Sequence, residues 1–213
     1  MSKNSKLDEI GSKYQTDKAH DRHNYLNFYD KRLSNLTGQS FTMFEIGVLK
    51  GGSLRTWGEY FSKATIVGMD VVPETVQHAG DNRHVHIGDA SNKTVIDHVV
   101  SEYGRPLIVL DDGSHFWDHQ ISSLRHFWPH ILPGGMFIME DIQTSFKGVI
   151  DHHPEYRGSS DISAYDYIAQ INRRVVGVEF AAQDAAYDGF VQECASETDT
   201  IEWYRGTCII TKK

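Results

Sequence analysis

The chain is poor in the residues that make disulfide-stapled or proline-rich proteins. It has two cysteines, Cys194 and Cys208, and five prolines among 213 residues. The cysteines have neither CxxC spacing nor a neighbouring histidine pattern, so we interpret them as reduced, buried thiols rather than as a disulfide or metal ligands. Apolar residues make up 39% and charged residues 23%, which is typical of a folded protein and excludes wholesale disorder.

Two further shortages bear on partners and location. No apolar run approaches the length needed to span a bilayer, and the opening segment 1–6 is too polar for a signal peptide. Lys and Arg number 21 against 29 Asp and Glu, and the formal net charge of −8 repels a phosphate backbone. We therefore expect a soluble, cytoplasmic protein that acts on neither nucleic acid nor membranes.

From residue 42 onward, apolar runs alternate with amphipathic stretches. This alternation predicts an α/β fold in which a mostly parallel sheet has helices on both faces. Buried strands are expected first and a terminal antiparallel pair last, with helices between them. We predict strands at 42–48, 65–71, 84–87, 106–110 and 136–139, a strand pair at 201–204 and 208–211, and helices at 92–103, 116–131 and 164–176, with another beginning near residue 53.

The length is sufficient for one core and too short for two full domains. We therefore predict a single domain over residues 1–213, in which residues 41–213 form the sheet and its helices. Residues 1–40 contain two predicted helices and are expected to cover the open edge of a cofactor site. The polar stretch 143–163 is too long for a tight connection and is a candidate substrate loop or lid.

The junction of the first strand and its helix carries a glycine motif. Gly47 and Gly51 let the backbone approach a ligand, and the helix beginning near Ser53 presents unpaired N–H groups to a carboxylate. A dinucleotide-binding GxGxxG would need glycine at Leu49, so a dinucleotide is disfavoured. Glu45, two residues before the first glycine, suits a cofactor with a positively charged amino group. A purely structural glycine turn is the alternative.

Two acidic residues follow the next two strands. Asp70 closes the second strand, where an acidic side chain in nucleotide-binding sheets accepts hydrogen bonds from ribose hydroxyls. Asp89 follows the third strand and is placed to accept from an adenine amine. For Asp89, an N-cap of the following helix is an equally good interpretation.

The most informative cluster lies after the fourth and fifth strands. Asp111 and Asp112 end one strand, and Glu140 and Asp141 end the other. Neighbouring strands lie about 4.8 Å apart, so these carboxylates should converge, and a divalent cation relieves their repulsion. All-oxygen ligation indicates Mg²⁺ or Mn²⁺ rather than zinc. The alternative is that the acids cap helices and are hydrated at the edge of the sheet.

A histidine pair four residues apart, His115 and His119, raises zinc as a second metal. Phe116 occupies the position of the glutamate in HExxH, so the metalloprotease motif is incomplete. We interpret His119 as a solvated or capping residue.

Together these motifs resemble a known family, the class I, S-adenosylmethionine- and Mg²⁺-dependent O-methyltransferases that act on macrolide sugars. The resemblance spans about residue 10 to residue 213, and its most specific part is DDGSH paired with ED. A further stretch, KYQTDK with His23 and Tyr25, is similar to an N-terminal element of these enzymes. The matching segments are 13–18, 45–47, 51–54, 111–115, 133–135 and 140–141.

The resemblance implies a Rossmann-like class I methyltransferase fold with a seven-stranded sheet, and transfer of a methyl group from S-adenosylmethionine to a sugar or glycoside hydroxyl. It implies that His115 is the general base. The resemblance is also compatible with a homo-oligomer. The implied ligands of Mg²⁺, or of Mn²⁺ as a substitute, are Asp112, Glu140 and Asp141. The implied cofactor contacts are Thr16, Lys18 and Asp111, in addition to Glu45, Gly47, Gly51, Ser53, Asp70 and Asp89.

Other functions remain compatible with these residues. A catechol-type methyltransferase uses the same cofactor and metal on an aromatic diol. A metal-dependent hydroxylase or hydrolase, or a non-catalytic cofactor-binding module, could retain the fold. Binding of S-adenosylhomocysteine distinguishes the methyltransferases from the other classes.

Overall fold

The structure is a computed structural model that describes residues 4–177 and 188–213. Its centre is a seven-stranded sheet. The strands are β1 Thr42–Ile46, β2 Thr65–Asp70, β3 Arg83–Ile87, β4 Pro106–Asp111, β5 Met136–Met139, β6 Thr198–Tyr204 and β7 Thr207–Lys212.

The strand order in the sheet is β3-β2-β1-β4-β5-β7-β6. Strands β1 to β5 are mutually parallel, whereas β7 pairs antiparallel with both β5 and β6. The order reverses between β1 and β4, which is where open α/β sheets form a crevice for ligands beyond the carboxyl ends of the strands. The predicted fold class, including the terminal antiparallel pair, is confirmed.

Helices cover both faces of the sheet in the described part of the chain. Several begin at a side-chain cap: Ser5, Asn92 and Ser163 each accept a backbone N–H of the first turn. The α-helices are α1 Lys6–Lys13, α2 Leu26–Leu33, α3 Gly52–Tyr60, α4 Lys93–Tyr103, α5 Trp117–Phe127, α6 Lys147–Ile150, α7 Ala164–Val175 and α8 Gly189–Glu197, with 3₁₀ turns at Ser34–Leu36, Pro73–His78, Trp128–His130, Ile142–Ser145 and Pro154–Arg157.

The core has two layers because successive strand residues face opposite sides of the sheet. On β1, Met43 packs with the layer formed by α1, α2 and α3, whereas Phe44 packs with the layer formed by α4, α5, α7 and α8. Cys194 and Cys208 are both free and buried in the second layer, as expected.

Some predicted boundaries differ from the structure. Strand β1 ends at Ile46 rather than at residue 48, because Gly47 takes a left-handed φ of 91° and turns the chain. Helix α5 begins at Trp117, and its α-helical part ends at Phe127, before the 3₁₀ turn that contains Pro129. The predicted loop at 143–163 is built largely of short helical turns, including α6.

The N-terminal segment holds two helices, α1 and α2, as predicted. Both contribute to the same core layer as α3, so they are packed on the sheet rather than appended to it. None of the helices in residues 4–177 and 188–213 is long and apolar enough to span a membrane.

Candidate active site

A cavity of about 930 Å³ opens at the carboxyl ends of the parallel strands. Its wall joins the glycine turn after β1 to the loops after β2, β3, β4 and β5. Among the predicted site residues, those that line the cavity are Thr16, Gly47, Ser53, Asp70, Asp89, Asp111, Asp112, His115 and Asp141.

In the glycine turn, Gly47 and Gly51 adopt left-handed backbone conformations in which other residues would be strained. Gly47 has φ 91°, and a Cβ there would collide with the carbonyl oxygen of Asp112. Gly51 has φ 67° at the N-terminus of α3, and a Cβ there would meet the ring of His78. Glycine is therefore required at both positions. Gly51 itself does not line the cavity; it shapes the turn that does.

Asp70 holds this turn in place. Its Oδ2 accepts hydrogen bonds from the backbone N–H groups of Val48 at 2.9 Å and Leu49 at 3.1 Å. Its Oδ1 accepts from Val72 N at 3.0 Å. The carboxylate still faces the cavity, so it is placed both to order the glycine turn and to meet a ligand.

Asp89 lines the cavity next to the loop that enters α4. Its Oδ1 accepts from Ser91 N at 2.8 Å, whereas the N-cap of α4 is Asn92. The N-cap interpretation of Asp89 was therefore wrong. Partial burial disfavours its charged form, but the hydrogen bonds from Ser91 outweigh that cost and hold the pKa of Asp89 below its ordinary value.

Glu45 lies behind the cavity wall rather than in it. It is fully buried; Ser53 donates a hydrogen bond to Oε1, and Trp57 Nε1 donates to the same oxygen at 3.1 Å. The other oxygen, Oε2, has no hydrogen-bond partner. Burial raises the pKa of Glu45 to about 7, although Lys18 and the hydrogen bonds oppose the shift. Of this group, Ser53 is the residue that reaches the cavity.

Asp111 ends β4 and forms part of the cavity floor. Ser123 of α5 donates a hydrogen bond to Oδ2, and Gly113 N donates to Oδ1 at 3.2 Å. Burial raises the pKa of this carboxyl to about 6, and the two hydrogen bonds oppose the rise.

Residues from the N-terminal segment reach the same cavity. Thr16 lies in its wall beside Tyr14 and Asp17. The segment passes close over the first turn of α3, since a Cβ on Gly52 would lie 2.9 Å from the carbonyl oxygen of Tyr14. The predicted cover of the cofactor site is thus in contact with the glycine motif.

Lys18 does not line the cavity, although the resemblance implied a cofactor contact. Its side chain is 1% exposed, and its ammonium contacts Asp112 Oδ2 and lies 2.7 Å from Glu140 Oε2. Desolvation lowers the pKa of a buried lysine, but the charges of Asp112, Glu140 and Glu45 outweigh it and raise the pKa of Lys18 well above its ordinary value. Lys18 is therefore the cation of a buried charge cluster.

The three predicted metal ligands, Asp112, Glu140 and Asp141, divide into two groups. Asp112 and Asp141 lie together, and their ligand atoms and a ring nitrogen of His115, the predicted base, are within 4.8 Å of one another. Glu140 lies deeper, where Tyr29 donates a hydrogen bond to Oε1 at 2.8 Å and Lys18 contacts the other oxygen. Burial raises the pKa of both Asp112 and Glu140, with Lys18 opposing the shift in each.

His115 is held over this cluster by unusual backbone. His115 has φ 60° and Asp141 has φ 55°, and both values lie in a region that non-glycine residues seldom adopt. The Nε2 of His115 lies 3.3 Å from Asp141 Oδ2, and the buried Nδ1 of His115 has no hydrogen-bond partner. Because His115 precedes α5, it does not share a helix face with His119, whose Nδ1 lies 2.8 Å from Ser114 Oγ.

The donor set fits a divalent cation. The Asp112 and Asp141 carboxylates lie close enough to share one ion and offer the oxygen donors that Mg²⁺ prefers. The His115 imidazole lies beside them, and its buried Nδ1 has no hydrogen-bond partner. Sequence reasoning missed Tyr29, which buries the second oxygen of Glu140, and Gln143, whose Nε2 donates to Asp141 Oδ1 at 2.7 Å. Both residues lie outside the motifs, so no local pattern indicated them.

The topology and the position of this cavity define the fold of a class I methyltransferase. The solved structure of MycE methyltransferase from the mycinamycin pathway, in complex with Mg and SAH, superimposes with a TM-score of 0.84 at 24% identity. The match covers 99% of this chain and 54% of that one. At this identity the likeness establishes the fold.

Sequence comparison identifies the homologues. Demethylmacrocin O-methyltransferase of Streptomyces fradiae is 31% identical over 163 residues, 73% of this chain and 39% of the relative. Mycinamicin VI 2''-O-methyltransferase of Micromonospora griseorubida is 33% identical over 148 residues, 66% of this chain and 37% of the relative. No family model matches the chain.

The chain is therefore a homologue of the sugar O-methyltransferases of antibiotic pathways, with the class I S-adenosylmethionine methyltransferase fold. Its matches with the two curated relatives span less than half of their length.

Proposed function

We propose that this chain is an S-adenosylmethionine-dependent O-methyltransferase that methylates a sugar hydroxyl with the help of Mg²⁺. The observation that carries the proposal is one continuous cavity that joins a glycine turn of the methyltransferase fold to the Asp112, His115 and Asp141 cluster. The relatives support the substrate class, because their names specify O-methylation. Two further relatives from Streptomyces olivaceus, 28% and 29% identical, are named as 2'- and 3'-O-methyltransferases of rhamnosyl tetracenomycin-C compounds.

The cofactor is assigned to the part of the cavity between β1 and β3. Asp70 is placed to accept hydrogen bonds from the ribose, and Asp89 from the adenine amine. The N-terminus of α3 and the N–H groups of the glycine turn favour the carboxylate of the methionine part. Thr16 and Ser53 complete the wall at this end.

The metal is assigned to Asp112 and Asp141. The third predicted ligand, Glu140, lies behind them, where its Oε2 is paired with the Lys18 ammonium. Mn²⁺ suits the same oxygen donors. When bound, Mg²⁺ would favour ionisation of the acceptor hydroxyl, and S-adenosylmethionine would supply the electrophilic methyl group.

His115 is assigned as the general base. Its ring borders the cavity, and Asp141 beside Nε2 is placed to orient the imidazole and to stabilise it once it has taken the hydroxyl proton. Alignment of the acceptor oxygen with the methyl group then supplies much of the rate enhancement. A vicinal diol would offer a second hydroxyl to the metal, which favours a sugar over a simple alcohol.

The N-terminal residues 1–40 are proposed to work as part of this unit, since Thr16 lines the cavity and the buried Lys18 contacts Asp112 behind its acidic end. Residues 143–163 are proposed as the acceptor loop. This loop contacts the site through Thr144, whose Oγ1 donates to the carbonyl oxygen of His115 at 3.3 Å.

The test combines binding with turnover. We expect calorimetric titration to detect S-adenosylhomocysteine binding, and mass spectrometry to detect methyl transfer to rhamnosides in Mg²⁺. EDTA should abolish turnover and added Mg²⁺ should restore it. Absence of S-adenosylhomocysteine binding would contradict the methyltransferase proposal. Full turnover in EDTA would contradict the role of the metal. Methylation of catechols alone would mean that the acceptor is an aromatic diol rather than a sugar.

A further inference from the structure

A second group of metal-ligating side chains lies on the outer edge of the sheet. His86 is on β3, and His98 and Glu102 are on α4. Their ligand atoms all lie within 4.8 Å of one another. The group does not line the large cavity, and none of its members belongs to the glycine, DDGSH or ED motifs.

We propose that His86, His98 and Glu102 bind a transition-metal ion of the Zn²⁺ class. Two imidazoles and one carboxylate are a ligand set that zinc uses when it keeps a fourth position open for water. Nitrogen-rich ligation selects Zn²⁺, Co²⁺ and Ni²⁺ over Mg²⁺, which prefers oxygen. The two clusters of this chain would therefore take different metals.

The geometry needs little adjustment to close around an ion. Ligand atoms of a tetrahedral zinc site lie about 3.3 Å apart, as bond lengths near 2.0 Å require. His98 Nε2 and Glu102 Oε2 are already 3.7 Å apart, because residues four apart share one helix face. The rings of His86 and His98 have centroids 5.6 Å apart. The side chains of His98 and Glu102 are exposed, so they are free to rotate and bring the ligand atoms to the spacing of a zinc site.

The surroundings fix the position of one ligand. Burial raises the pKa of the neighbouring Tyr103 hydroxyl, and the nearby Glu102 carboxylate adds to the shift. His86 lies on the edge strand of the sheet, paired with Met69 of β2. A bound ion would tie this edge strand to the second half of α4, and the chain leaving β3 reaches the cavity at Gly88 and Asp89.

The experiment is a Co²⁺ titration of the full chain in excess Mg²⁺, followed by visible absorption, with Zn²⁺ as the competitor. We expect one Co²⁺ per chain in a low-symmetry, four- or five-coordinate spectrum, displaced by Zn²⁺. His86→Gln and His98→Gln should each weaken Co²⁺ binding by more than about 100-fold, the upper end of the loss seen when only an outer-sphere partner is removed. Glu102→Gln should weaken it in the same direction.

Two controls locate the ion. His84→Gln removes an exposed histidine two residues earlier on the same strand, where it packs against Tyr103, and should leave Co²⁺ affinity unchanged. Asp112→Asn should also keep the spectrum, because that residue belongs to the other cluster. His98 is exposed, so its substitution keeps the test valid even where His86→Gln fails to fold.

The proposal is overturned by any of three results. The first is no Co²⁺ uptake by the unmodified chain. The second is equal affinity in His98→Gln and the unmodified chain. The third is loss of the spectrum in Asp112→Asn or His84→Gln, which would place the ion elsewhere.

Discussion

The two ends of the large cavity are built on different physical principles. The end proposed to hold the cofactor relies on backbone shape: Gly47 and Gly51 take left-handed conformations, and Asp70 lines the cavity while it orders the turn. The acidic end relies on buried charge, with Lys18 enclosed between Asp112 and Glu140. Substitutions at the first end should therefore alter ligand affinity, whereas substitutions at the second should alter turnover and stability.

The largest effect is expected at the acidic end, for His115→Ala. Loss of a positioned general base should lower turnover by roughly 10²- to 10⁴-fold. Affinity for S-adenosylhomocysteine should stay nearly constant, because the role proposed for the imidazole is to take a proton from the acceptor. The measurements are turnover at saturating Mg²⁺ and calorimetric affinity, with His130→Ala as a remote control. An unchanged rate in His115→Ala would assign the base to another residue.

Lys18→Met tests the buried charge cluster directly. Removal of the ammonium leaves Asp112 and Glu140 without their cation, and such a loss costs about 3–5 kcal/mol of stability. Chemical denaturation in EDTA measures it. Added Mg²⁺ should restore more stability to the variant than to the unmodified chain, since the ion would replace the missing positive charge.

Lys13→Met is the matched control, because Lys13 forms an exposed ion pair with Glu59 and should lose little stability. Equal denaturation midpoints for Lys18→Met and Lys13→Met would show that the cluster does not depend on Lys18.

Glu45→Gln should change the pH dependence of stability. The pKa of Glu45 is raised from 4.5 to about 7 by burial, so between these values the folded chain binds more protons here than the unfolded chain does. The free energy of unfolding contributed by this group therefore falls as pH rises through that window. Glutamine has no such titration, so the stability of the variant relative to the unmodified chain should rise between pH 5 and pH 8, by up to about 3 kcal/mol.

The measurement is urea unfolding at pH 5 and pH 8 in EDTA. The exposed Glu74→Gln serves as the control. Parallel stability curves for Glu45→Gln and the unmodified chain would mean that Glu45 titrates normally.

The smallest effect is expected at the cofactor end, for Asp70→Ala. Loss of hydrogen bonds to a charged acceptor should weaken S-adenosylhomocysteine binding by about 1–3 kcal/mol. Calorimetric titration gives the affinity, and Asp70→Asn should retain part of it because one acceptor oxygen remains. If Asp70→Ala binds as tightly as the unmodified chain, the ribose contacts another residue.

Much of the fold was predictable because its signals are local. Alternating apolar runs placed β1 to β5, and the antiparallel pair β6 and β7 followed from two short runs around Gly206. Strand ends were less predictable, as at Gly47, because a left-handed turn depends on how closely another loop approaches.

The sequence indicated which residues form the site better than it indicated the contacts between them. The sequence identified Asp112, Glu140, Asp141 and His115 as one cluster, and the structure brings Asp112, Asp141 and His115 to one point. It did not indicate that Glu140 faces inward, since that direction depends on Tyr29, which precedes it by 111 residues.

By itself, the sequence determined the order of strands and helices, the glycine turn and the strand ends that carry acids, because periodicity and chain breakers act over a few residues. Only the tertiary structure decided how those charges are compensated. Lys18 is separated by 94 residues from Asp112 and by 122 from Glu140, and packing of the N-terminal segment on the sheet brings them together. A buried charge needs a partner, and which partner it meets is a property of the folded chain.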